Sequence, residues 1–434
     1  MTRFLTSLFR LAAIAMTVAL SASCGKIRHR GDDGYDKVMI FYTAGYNSLS
    51  SYIREDLEDL KKGYLPAAKS RDALILISKL PVSYGDYNTK TSPCIIRITG
   101  KKSGKTTVAV MDTLMTLEPG TVLANSRVTR ECLEYVRDRF PSKSYGMVFS
   151  SHATGWLPGG YFDNPSAYDR AFSGRSGQNA RASAGPLYIE REQDPSYPAV
   201  KSVTQEVETI DKWKYSREME IEDLADAIPM HLDYLLFDAC LMGGIEVAYA
   251  FRNVADVIGF SQTEVLADGY DYTKITGHLL GRSEPDAKSV CSDFFNSYDI
   301  QTGMNRSATV SLVECSKVGD IAQVCSRLFS KYRDSINSLS QFRVQGYFYN
   351  QARHWHFDLL DIIIQAGATD EEISELRRVL DASLIYKAAT PSFFELPLET
   401  ACGYSMYLPS AGSAYLDNFY RSLSWNQATH LVSE

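Results

Sequence analysis

The sequence predicts an α/β fold in which a mainly parallel central sheet is covered by helices on both faces. Three observations predict it. Several short runs are apolar throughout, without the alternation of a half-exposed strand, as expected for strands buried on both sides. Segments with apolar residues at helical spacing separate these runs. With 434 residues, 45% of them hydrophobic, the chain has enough apolar surface for one large core or two medium ones.

The elements follow in order. Arg3 and Arg10, the apolar run Leu11 to Leu20, and the small residues Ser21, Ala22 and Ser23 ahead of Cys24 form an export signal over residues 1–23. That run is about half the roughly 20 residues a spanning helix needs, so a transmembrane segment is the weaker reading. Residues 24–35 are a polar tether, and the fold begins near Asp36. Val38 to Tyr42 is a buried-type strand, and Leu49, Ile53, Leu57 and Leu60 mark the helix after it. Strands follow at Leu74 to Ile77 and Cys94 to Ile98, then a helix from about Thr129 to Phe140 and a strand at Met147 to Phe149. Further on come a strand at Tyr234 to Phe237, a helix from about Gly244 to Arg252, and a strand at Val257 to Phe260. The first domain thus runs over residues 36–284. Between Tyr161 and Arg217 the chain turns small and polar with no period, notably over Ser173 to Gly185, and reads as an exposed insertion. Residues 285–434 read as a C-terminal α/β subdomain, with helices at Lys288 to Tyr298, Val318 to Leu339 and Glu371 to Tyr386 and strand-like pieces at Ala308 to Val313 and Tyr404 to Leu408.

Composition excludes some functions. The net charge is −7 and the basic residues are scattered among acids, so there is no field for a phosphate backbone and no nucleic-acid partner is expected. Seven cysteines follow Cys24, with no C-x-x-C pair, so neither a zinc site nor a dense disulfide framework is indicated. Seven is odd, so at least one thiol stays unpaired within the chain. His354 and His356 stand near Asp358 and Asp361, but Leu359 to Ile363 has a helical pattern and a metal site is not expected there. No acidic loop has EF-hand spacing, so the residues themselves predict no cofactor and no ion.

Two strand ends carry chemistry. Ser150-Ser151-His152-Ala153-Thr154-Gly155-Trp156 follows one buried-type strand, and Phe237-Asp238-Ala239-Cys240-Leu241-Met242-Gly243 follows another. Parallel strands put both at the same sheet edge, where sites form in open α/β sheets. Imidazole beside a thiol supplies the base that generates a thiolate, and a helix starting just after Cys240 would depress the thiol pKa further. Residues two apart in a strand share a face, so Asp238 lies on the side of Cys240 and suits a cationic substrate group; Asp also suits a helix cap there.

These motifs, with the Ser261 to Tyr272 segment (SQTEVLADGYDY), the opening VMIFYTAGYNSL over Val38 to Leu49, and Gly403 to Pro409 followed by Leu423-Ser424-Trp425, closely resemble the clostripain family of cysteine peptidases, whose fold is related to that of caspases. The likeness covers most of the mature chain and is similar to the lipoprotein members from Bacteroidetes. It implies a caspase-like three-layer sandwich and a dyad of His152 and Cys240. It also implies a P1 pocket with Asp238 at its base and Asp268 as a second acid, although Asp268-Gly269 equally reads as a turn pair. Amides of Cys240 and near Gly155 would steady the oxyanion, and cleavage would follow Arg, often Lys, in protein or peptide substrates. Calcium dependence is implied by the resemblance alone. Cys24 matches the acylated cysteine of a bacterial lipoprotein, implying a lipid anchor in the cell envelope at the outer membrane, although Ser21 stands where the lipobox usually has Leu. Two further departures are Ala153, where the family usually has Gly, and Tyr46, where many members have Asp. The rival reading is an inactive member that keeps the cleft as a surface binding lipoprotein. A zymogen cut within the 161–217 insertion is expected, with Arg175 and Arg181 as processing residues because their neighbours are Ser, Gly and Ala.

Overall fold

The structure, a computed structural model, describes residues 34–173, 196–201, 206–210, 213–350 and 354–433. The export signal, Cys24, most of the tether, Arg175 and Arg181 lie outside the described residues.

The strands used below are β1 (Lys37–Ala44), β2 (Asp72–Lys79), β3 (Cys94–Ser103), β4 (Thr106–Thr116), β5 (Tyr145–Ser150), β6 (Glu206–Ile210), β7 (Trp213–Arg217), β8 (Leu232–Asp238), β9 (Ala255–Phe260), β10 (Thr309–Glu314), β11 (Phe357–Asp358) and β12 (Leu384–Ala389). Nine of them form one sheet in the order β12-β10-β9-β8-β5-β1-β2-β3-β4. Its centre, β2-β1-β5-β8-β9, is parallel, and the strands added at each side are antiparallel. The parallel strands are the continuous apolar runs, since burial on both faces leaves no position for a polar alternation: β1 is buried from Val38 to Ala44 and β5 throughout.

The helices used below are α1 (Ser50–Leu60), α2 (Ser126–Arg139), α3 (Pro165–Ser173), α4 (Ile221–Ala227), α5 (Ile245–Ala250), α6 (Tyr272–Leu279), α7 (Ala287–Asp299), α8 (Val318–Ser338), α9 (Leu359–Gln365) and α10 (Asp370–Ser383). From β1 the strand order grows both ways, so right-handed crossovers put α1 and α2 on opposite faces. Helices α1, α6 and α7 pack together, as do α2, α4 and α5, giving the three layers of a caspase-like sandwich.

The C-terminal region makes two short two-stranded pairings, Phe357–Asp358 with Ser405–Met406 and Ser392–Phe393 with Leu396–Pro397, and no larger sheet of its own among the described residues. Strands β10 and β12 extend the central sheet, and residues 34–434 form one compact unit. Helix α10 stops at Ser383 and β12 starts at Leu384, so the expected helix to Tyr386 is too long; Leu384 to Ala389 alternates in exposure as an edge strand does. The insertion also differs from a loose loop. Its described parts include α3 and the β6–β7 hairpin, and Glu206 on β6 is fully buried, ion-paired with Lys79 and accepting hydrogen bonds from the amides of Leu123 and Ala124. The Val207 amide donates to the Tyr46 carbonyl at 2.9 Å, so Tyr46 gives the hairpin a backbone anchor.

Candidate active site

Strands β5 and β8 are parallel neighbours, with Ser150 paired to Asp238 at their carboxyl ends. Two residues further along each chain stand His152 and Cys240, so register alone brings them to adjacent places on the sheet edge. Beyond Cys240 the backbone turns sharply. Leu241 adopts φ 59°, in the left-handed region that a non-glycine residue enters at a cost of about 1–2 kcal/mol. Its amide donates to the Thr263 carbonyl at 2.9 Å, and that of Gly243 to the Ser261 carbonyl at 2.7 Å. Gly155, at φ 65°, fits against this turn: a Cβ there would lie 2.5 Å from the Leu241 carbonyl oxygen. The histidine loop and the cysteine loop therefore touch, and His152, Gly155 and Met242 line one small cleft.

The C-terminal segment braces the same turn. The Ser405 amide donates to the Gly243 carbonyl at 2.8 Å. Glu246 on α5 is buried and accepts from the Tyr407 amide at 2.9 Å and the Tyr420 hydroxyl at 2.7 Å. Burial raises this carboxyl to about 7.

His152 is buried, and its Nε2 lies 3.0 Å from the Ser48 hydroxyl, on the loop that follows β1. Sequence reading missed Ser48. The Cys240 thiol is fully buried; its Sγ accepts from the Val265 amide at 3.1 Å and lies 3.7 Å from the Val265 carbonyl oxygen. The expectation of a thiol activated by a helix end is corrected here. Helix α5 starts only at Ile245, with Gly244 as its N-cap. Burial and then the nearby Glu264 push the thiol pKa well above the ordinary value, against smaller lowering effects from the Val265 amide and Lys201.

Asp238 is buried beside Lys201, a basic residue of the insertion. Lys201 is fully buried, and its ammonium forms an ion pair with Asp238. Its Nζ also lies 3.4 Å from Asp56 Oδ2 on α1 and 3.3 Å from the Ser150 hydroxyl. Tyr272 donates to Asp238 at 2.6 Å. Burial alone would lower the lysine pKa, but Asp238 and then Asp56 outweigh it and the net direction is upward, so the ammonium stays charged. Burial lifts the Asp56 carboxyl to about 7 despite the opposing pull of Lys201. Gly244 caps α5, which leaves Asp238 to the lysine. Asp268 is exposed on the turn beyond, and the second acid on the ammonium is Asp56.

The main chain around Lys201 is extended. Its amide donates to the Val265 carbonyl at 2.8 Å, and the Ala267 amide donates to the Ala199 carbonyl at 2.8 Å, an antiparallel pairing with Val200 opposite Leu266. Val265 thus contacts the Cys240 sulfur through its N–H and Lys201 through its C=O.

The remaining candidates are structural. His354 Nε2 lies 2.6 Å from the Phe348 carbonyl oxygen, and burial pushes His356, packed against Trp156, down to about 3. Among the described residues no group of three or more His, Cys, Asp or Glu side chains is placed to hold a metal ion, and the seven cysteines are free thiols.

A thiol and an imidazole on adjacent strand ends, with a buried acid two residues before the thiol, place this fold and site in the class of α/β cysteine peptidases. The chain belongs to the clostripain family, whose family model matches residues 197–432. Solved structures agree in fold. An inactive zymogen C11 protease from Parabacteroides distasonis is 24% identical with a TM-score of 0.68, over 91% of this chain and 98% of that one. A secreted C11 cysteine protease from Bacteroides thetaiotaomicron, in complex with an irreversible peptide inhibitor, is 20% identical with a TM-score of 0.68, over 91% and 99%. Comparison with curated proteins gives no match.

Proposed function

We propose that this chain is the zymogen of a cysteine endopeptidase that cleaves after basic residues and that its own residues 199–201 occupy the substrate cleft. The observation that carries this reading is Lys201, seated on Asp238 as a P1 side chain would be, with its main chain paired to the segment that also contacts the Cys240 sulfur. Cleavage would fall at the peptide bond on the carboxyl side of Lys201. His152 takes the thiol proton, the thiolate adds to the carbonyl carbon, and amides of Cys240 and near Gly155 hold the oxyanion. The tetrahedral adduct expels the amine, which takes the proton back from His152, and water hydrolyses the thioester to free the Lys201 carboxylate. External substrates with Lys or Arg at P1 then use the same cleft. A thiol whose pKa is raised by burial suits the uncut state.

The location belongs to the same reading. The secreted relative, the export signal and Cys24 support an envelope protein held by acyl chains, and no described helix is long and apolar enough to cross a membrane. The test is incubation of purified chain followed by mass analysis. Wild type yields two associated fragments, one ending at Lys201, and Cys240→Ala stays whole. An intact chain that hydrolyses P1-Lys peptides at full rate refutes self-cutting, and cutting by Cys240→Ala refutes the mechanism. In a bacterial host, wild type fractionates with membranes and Cys24→Ala does not; equal fractionation refutes the anchor.

A further inference from the structure

Helix α1 carries Ile53, Asp56, Leu57 and Leu60 on its buried face, so Asp56 is a carboxylate in an apolar stripe. Such a placement is costly unless the charge meets a partner. The partner is the ammonium of Lys201, which lies among three oxygens contributed by Asp238, Asp56 and Ser150, from β8, α1 and β5. The far end of this cage is closed by backbone. A Cβ on Gly269, which has φ 63°, would lie 2.6 Å from the lysine Nζ and 2.5 Å from both oxygens of Asp238. Asp238 Oδ2 is already shared between the ammonium and the Tyr272 hydroxyl, and Oδ1 abuts Gly269.

We propose that Asp56 is a specificity-determining residue that, with Asp238 and Ser150, makes the P1 pocket select lysine over arginine. The inference rests on the reading of Lys201 as a P1 side chain. An ammonium is a compact point charge with three rotatable donors and suits three oxygens on separate elements. A guanidinium is a planar fork that wants two free oxygens of one carboxylate and extends beyond the position of Nζ. Here Oδ2 is engaged by the Tyr272 hydroxyl, and Oδ1, which accepts no hydrogen bond among the described residues, faces the turn at Gly269, so a fork on both oxygens must displace Tyr272 and press on that turn. Asp56 contributes to lysine and has no place in an arginine fork.

Two arms test it. In the first, kcat/KM is measured on paired P1-Lys and P1-Arg peptides with the self-cut full chain and with Asp56→Asn. Both rates come from one preparation, so their ratio is independent of how much chain has been processed. Wild type should favour lysine by about tenfold or more, and Asp56→Asn should lose about tenfold on lysine and much less on arginine. Equal rates in wild type, or an equal loss on both peptides, overturn the proposal. The second arm needs no activity. In the Cys240→Ala chain, thermal melting compares Lys201 with Lys201→Arg, each with Asp56 or Asp56→Asn. Arginine should lower the midpoint by several degrees with Asp56 present and by clearly less with Asn; an equal drop in both backgrounds overturns the proposal. If wild type hydrolyses neither peptide, the peptidase reading fails, and the melting arm still decides whether the cage is built for lysine.

Discussion

Replacing Asp238 by Asn in the uncut Cys240→Ala chain tests the seating of Lys201 directly. Both side chains of the pair are fully buried, so the ammonium cannot recover water when its main counter-charge is removed. Breaking a buried pair at one partner typically costs about 3–5 kcal/mol, because a charge is left uncompensated. Asp56, at 3.4 Å, and Ser150, at 3.3 Å, remain and favour the lower half of that range. With roughly 400 folded residues and about 2 cal/mol/K of unfolding entropy per residue, this loss lowers the melting midpoint by about 4–5 °C. Lys201→Met removes the cation and leaves two buried acids, of which Asp56, already raised to about 7, readily takes a proton. The double variant, Asp238→Asn with Lys201→Met, should therefore be less destabilised than the two single effects together. The assay is thermal and urea denaturation of the four chains as a double-mutant cycle. A midpoint change below about 1 °C for Asp238→Asn, or effects that add within about 0.5 kcal/mol, would refute the internal ion pair and with it the reading of Lys201 as the seated P1 residue.

Two further outcomes follow from the site. Ser48→Ala removes the 3.0 Å contact to His152 Nε2 and should lower kcat of the processed enzyme several-fold with KM nearly unchanged, since the hydroxyl orients the base without binding substrate; a change confined to KM would contradict that role. Glu246 has a carboxyl raised by burial from 4.5 to about 7, so the folded chain holds its proton after the unfolded chain has lost it. The associated stability is complete below about pH 4.5 and is lost as pH rises through about 7, to the extent of about 3 kcal/mol. Glu246→Gln, which keeps an acceptor for Tyr407 and Tyr420, should match wild type in denaturation at pH 4.5 and exceed it at pH 8; a difference that does not change with pH would remove Glu246 as the titrating group.

The parts legible in the sequence are those that local pattern determines. Strands β1, β5 and β8 appear as apolar runs because they are buried on both faces, and His152, Asp238 and Cys240 are conspicuous because they close such runs. Strand β4 lacks that signal: it lies at the sheet edge and is largely exposed. Strand β12 was absorbed into the helix before it because no glycine or proline separates them. Ser48 reaches the site only because β1 lies next to β5, a pairing set by strand order, which no local spacing reveals. Asp56 did leave a trace, as an acid in the stripe defined by Ile53, Leu57 and Leu60. Arg175 and Arg181, which stand out in the sequence for their small neighbours, lie outside the described residues; seating in a pocket depends on register against a distant segment, which local composition does not reveal, and among the described residues Lys201 is the one whose amide meets Val265.

The energetics of the seated segment fit an occupant that must later leave. A buried ion pair costs so much desolvation that its net contribution is small even when breaking it is expensive, and the backbone pairing of residues 199–201 with 265–267 contributes two hydrogen bonds, each with a net worth of about 1 kcal/mol. What holds Lys201 is therefore largely its continuity with the chain on both sides, which makes the binding intramolecular. On its carboxyl side the β6–β7 hairpin is fixed by the buried pair of Glu206 and Lys79 and by the Tyr46 carbonyl. Cutting after Lys201 breaks that continuity while the hairpin keeps its own anchors. It also turns a neutral peptide group into a carboxylate in surroundings where burial and Glu264 already disfavour negative charge on the Cys240 sulfur. On the proposed reading, the same cut that ends the tether makes the product end a poor occupant, so departure of residues 199–201 hydrates the thiol and lowers the pKa that burial had raised.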